Sequence, residues 1–152
     1  MNDNIKKYNT LIKYYEQLLF AEQQAKEKLE TQIFNNVTEK NNINNKLQLE
    51  QAELNKMLHD NDNFSVNNLL MKHYNNYNSL MKEKISKIDY NVKLLEKQLA
   101  KIQDKILLYY SDIKKVEKIC DNINKQILLN NSIKENNLLS ELSLIKFNKN
   151  DN

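Results

Sequence analysis

The chain has 152 residues, a formal net charge of +3 and no glycine, proline or tryptophan. Lacking the residues that supply left-handed turns, rigid corners and strand boundaries, it does not read as a compact fold with many turns. Its basic residues are all lysine, and so small an excess of charge without arginine, the usual bidentate reader of guanine and phosphate, argues against nucleic-acid binding.

Abundant Lys, Glu, Gln and Leu favour helix, while Asn clusters such as Asn41, Asn42, Asn44 and Asn45 oppose it mildly. The Asn and Ile bias is that of an AT-rich genome and is assigned no function. The first segment, about residues 4 to 58, carries apolar residues at helical spacing: Ile5, Tyr8, Ile12, Tyr15 and Leu19, then Ala25, Leu29, Ile33 and Val37, then Ile43, Leu47, Leu54 and Leu58. The four-residue steps from Ala25 to Val37 resemble a stutter, for which looser packing is expected.

Between the helical segments, about residues 59 to 65 form the predicted turn, His59-Asp60-Asn61-Asp62-Asn63-Phe64-Ser65. Asp and Asn bond their own backbone in competition with helix, so this cluster turns the chain without glycine, and Ser65 is a candidate cap for the second helix. The same stretch resembles the start of a calcium loop but lacks its Gly and its final acidic residue.

The second segment, about residues 66 to 142, holds the clearest signal. Ile85, Ile88, Val92, Leu95, Leu99, Ile102, Ile106, Tyr109, Ile113, Val116, Cys120, Ile123 and Ile127 follow one another at alternating steps of three and four. Six heptads without a polar interruption demand a partner helix. The stripe extends backward through Leu70, Tyr74, Tyr77 and Met81 with one pair of successive four-residue steps. Two helices joined by a short turn lie antiparallel, so the expected fold is all-α: a long antiparallel two-helix coiled-coil hairpin forming a single domain over residues 1 to 152, with a flexible tail at 143 to 152. Such a hairpin is expected to be a monomer in isolation.

With the turn centred near Asp62, residue 5 falls opposite residue 119, leaving the end of the second arm unpaired. That overhang is rich in Leu, Ile and Phe, and apolar surface of this extent is rarely left in water. It reads either as a self-associating tail or as a docking site for another protein.

No catalytic, cofactor-binding or metal-binding constellation is present: His59 and His73 are isolated, and a glycine-free chain has no phosphate-binding loop. Lys93, Lys97, Lys101 and Lys105 lie four apart on the outward surface, as a solvated face or as contact with an acidic protein. The single cysteine, Cys120, falls in the apolar stripe. The chain lacks an apolar run long enough to span a bilayer, and its N-terminus lacks the apolar core of a signal peptide. Together these point to a cytoplasmic protein without enzymatic activity.

Two long helices, an apolar and aromatic segment just after the turn (Leu69, Leu70, Tyr74, Tyr77, Met81) and an apolar C-terminal stretch with a polar tail (Glu141-Leu142-Ser143 to Lys149) make this layout resemble the flagellar FliJ family. The resemblance covers the whole chain and rests on length, layout and apolar spacing. It departs from family habit in having no Arg, no Trp and no Gly at the turn. It implies a coiled-coil stalk or adaptor of the flagellar type III protein-export apparatus. Its partners would be the export ATPase ring, the cytosolic domain of the export gate and export chaperones, with membrane contact only through those partners. Carried over by position, the stalk-like end would contain Ile5, Leu11 and Leu18 with Leu138, Leu142 and Ile145, and the gate contact would contain Leu70, Tyr74, Tyr77 and Met81. The alternative is a structural or cytoskeletal coiled-coil protein that self-associates.

Overall fold

The computed structural model describes residues 2 to 150. They form two α-helices, α1 (Asn2–Asp60) and α2 (Phe64–Asn150), with no strand among the described residues. The fold is therefore all-α, a helical hairpin. Both helices outrun their predicted limits. α2 continues in helix through Asn150, where a flexible tail was expected from residue 143, because nothing in that stretch breaks a helix: it has neither Gly nor Pro. The last two tail residues, 151 and 152, lie outside the described residues.

The turn is only Asn61-Asp62-Asn63, with His59 and Asp60 still in α1 and Phe64 and Ser65 already in α2. Asn61 Oδ1 accepts from the Asn63 amide at 3.1 Å, an Asx-turn that reverses the chain locally. Asn63, not Ser65, caps α2: its Oδ1 accepts from the amides of Ser65 (3.1 Å) and Val66 (3.3 Å), two donors the first helical turn leaves without partners. Its carbonyl accepts the first helical bond, from the Asn67 amide at 3.0 Å, and Asn67 Nδ2 ties back to the Asn61 carbonyl at 2.9 Å. No described residue has positive φ, so two Asn side chains do the work for which helix ends usually employ glycine.

Contacts divide the chain into two compact units, Met1–Ala21 with Ile106–Asn152, and Glu22–Lys105. The second contains the turn and a packed centre, where Ile43, Leu47 and Ile88 are buried and Tyr77, Met81, Ile85 and Val92 close around them. In the first unit Leu19 of α1 and Ile113, Val116 and Cys120 of α2 are buried, and Tyr15 meets Tyr109 with ring centroids 6.4 Å apart. All thirteen members of the stripe from Ile85 to Ile127 are buried or half-buried.

The α1 stripe runs differently from the sequence reading. Half-buried Ile33 is followed by half-buried Asn36 and Lys40 and then by buried Ile43, while Val37 is exposed. The three-four alternation therefore continues without the expected stutter, and polar residues occupy the facing positions. Packing is nonetheless thinner there, since no α1 residue between Leu19 and Ile43 is buried.

Removing the cap should separate the two assignments for the start of α2. Asn63→Ala is expected to cost about 1 kcal/mol and Ser65→Ala no more than about 0.5 kcal/mol, read from urea unfolding followed by far-UV circular dichroism.

Candidate functional site

The sites on this chain are surfaces, and the seam decides which residues reach them. Within the unit Glu22–Lys105, two ion pairs cross the helix pair. Lys40 Nζ lies 2.7 Å from Asp89 Oδ1, with both side chains part-exposed, and Lys105 Nζ lies 3.9 Å from Glu22 Oε1. Asn36 turns its Nδ2 back onto the Gln32 carbonyl at 2.8 Å, which is how an amide is accommodated at a facing position without a partner on the other helix. Of the lysine row, Lys93, Lys97 and Lys101 are solvent-exposed as expected, and Lys105 leans toward Glu22.

Leu70, Tyr74, Tyr77 and Met81 are all half-buried seam residues of α2 near the turn. Tyr77 and Met81 pack on the Ile43, Leu47 and Ile88 cluster. Leu70, Tyr74 and Tyr77 also line an open groove of about 270 Å³ with Leu54 and Met57, bordered by Glu50, Glu53 and His73. The four residues thus both hold the hairpin together and present part of their surface. The groove's α1 wall was not legible beforehand; the antiparallel register that puts residue 5 opposite 119 also puts Leu54 opposite Leu70, and that was the signal available. At this size and openness the groove suits one or two anchoring side chains of a partner rather than an enclosed substrate.

The residues expected at the stalk-like end are not brought together. Ile5 and Leu18 are half-buried and Leu11 is exposed on α1. Leu138, Leu142 and Ile145 lie on α2 beyond the last seam residue, Ile127, and are 53–62% exposed. Every described side chain from residue 128 to 149 is exposed, because α1 begins opposite the neighbourhood of residue 120 and offers nothing further along.

The bare helix also changes phase. Continuing the seam beyond Ile127 at steps of three and four leads to Asn130, Lys134, Asn137 and Glu141, all polar. The series reaches an apolar residue again only at Leu144, so most apolar residues of the overhang lie off it.

Among the described residues no group of three or more His, Cys, Asp or Glu could hold a metal ion, and no helix is long and apolar enough to cross a membrane.

Two contrasts test this account by thermal and urea unfolding. Ile88→Ala should destabilise the chain by about 2 kcal/mol or more, whereas Leu138→Ala should change stability by less than about 0.5 kcal/mol. Asp89→Ala should cost no more than about 1 kcal/mol, the usual range of a part-exposed pair, while Lys40→Leu with Asp89→Leu should leave stability unchanged or raise it, as apolar replacement of seam ion pairs commonly does.

Comparison with known proteins finds no matching family model, no matching curated protein and no matching solved structure.

Proposed function

We propose that this chain is a non-enzymatic coiled-coil adaptor of the flagellar type III protein-export apparatus, resembling the FliJ family, that acts in the cytoplasm by binding other proteins. The observation that carries the reading is the bare end of α2. Residues 128 to 149 are helical yet entirely exposed, and they include Leu128, Leu129, Ile133, Leu138, Leu139, Leu142, Leu144, Ile145 and Phe147. A helix of that length, about 33 Å at 1.5 Å per residue, fits recognition by insertion of an apolar helical face into a groove of a partner. In this reading the export ATPase ring supplies that groove, and the groove near Tyr74 receives the export gate. Chaperone handling would follow from the same exposed apolar surface.

The self-associating coiled-coil reading draws on the same overhang, and the two differ in what the overhang binds. Purified chain mixed with the hexameric export ATPase of the same organism should form a complex in size-exclusion chromatography. Joint replacement of Leu138, Leu142 and Ile145 by Asp should weaken it at least tenfold, about 1.4 kcal/mol. Tyr74→Asp should leave that complex intact while weakening capture of the export gate's cytosolic domain. Absence of any complex with either partner at tens of micromolar would sink the flagellar reading.

A further inference from the structure

The overhang is self-complementary. Taking 100° per residue along α2, Glu135, Leu138, Leu139, Leu142, Ile145 and Lys146 fall in one sector about 120° wide, whose Ile145 edge adjoins the line of the seam. All six side chains are exposed, and neither Glu135 nor Lys146 has an ion-pair partner among the described residues. Leu142 lies at the middle of this sector and Leu139 at one edge, and along the helix axis the two straddle the midpoint between Glu135 and Lys146. Glu135 lies four residues before Leu139, and Lys146 lies four residues after Leu142.

That spacing is symmetric with opposite charge at its two ends. We propose that the occupant of this face is the same face of a second copy, packed antiparallel about a twofold axis. The register that sets Leu139 of one copy against Leu142 of the other also sets Glu135 against Lys146, twice by symmetry. Leu138 and Ile145 of opposite copies flank the centre. A parallel arrangement would stack Glu135 on Glu135 and Lys146 on Lys146, so charge selects the antiparallel one. The chain is therefore a dimer joined at the ends of its α2 helices, in place of the monomer that a hairpin alone implies. Any partner that takes the overhang competes with the second copy for it. The inference rests on this face and not on the flagellar reading, and its test uses the chain alone.

Sedimentation equilibrium of the full chain over a wide concentration range should show mass rising from 18.1 kDa toward twice that value. Glu135→Lys and Lys146→Glu should each weaken association at least fivefold, and the two together should restore it. Leu139→Asp with Leu142→Asp should leave a monomer whose thermal unfolding matches that of wild type at concentrations too low for association, since no residue of α1 touches this face. A chain monomeric at every concentration overturns the proposal. So does a dimer indifferent to the leucine substitutions, which would place association elsewhere, or a double charge reversal no better than the single ones, which would remove the antiparallel pairing.

Discussion

Everything in this protein depends on one constraint: two helices share a single seam, and a single seam cannot fully enclose a side chain. The most buried described residues, Ile88 and Val116, retain 7% of their exposure, and none falls below 2%. In a three-layered fold the same leucines and isoleucines would be closed off from every side. Here each has solvent at its flank, so stability accrues from many half-buried contacts along the helices rather than from a central core.

That constraint explains how polar residues come to occupy facing positions. A fully buried lysine would require an expensive desolvation, but the Lys40 side chain keeps 35% of its exposure while its ammonium reaches Asp89. Asn36 meets its need within its own helix. Such groups contribute little to stability, yet the Lys40–Asp89 pair forms in only a narrow range of pairings, which makes it suited to holding register where Ile33 and Ile43 alone would tolerate a slip. The thin packing between Leu19 and Ile43 is the corresponding cost.

The two ends of α2 follow from the same economy of contact. At the turn, Asn61 and Asn63 supply from their side chains the hydrogen bonds that free helix ends need, and the seam begins as soon as Leu70 faces Leu54. At the other end the helix persists beyond its partner. There the three-four series turns polar from Asn130 to Glu141, and most of the apolar residues leave it. Apolar surface of this extent is seldom left in water.

Much of this was legible in the residues. An uninterrupted three-four alternation over six heptads determines both that α2 is a helix and which of its faces is covered, and every member from Ile85 to Ile127 turned inward. Clustered Asp and Asn between two helical stretches located the reversal. What periodicity of apolar residues did not determine was the α1 seam, because Asn36 and Lys40 face inward by virtue of position and of the groups beside or opposite them, not of hydrophobicity. Nor did composition distinguish Ser65 from Asn63 as the cap, which depends on where the last turn residue leaves its side-chain oxygen. The tertiary structure decided these points because helical phase is a property of the chain alone, whereas the residue that fills a facing position is judged by what lies across from it.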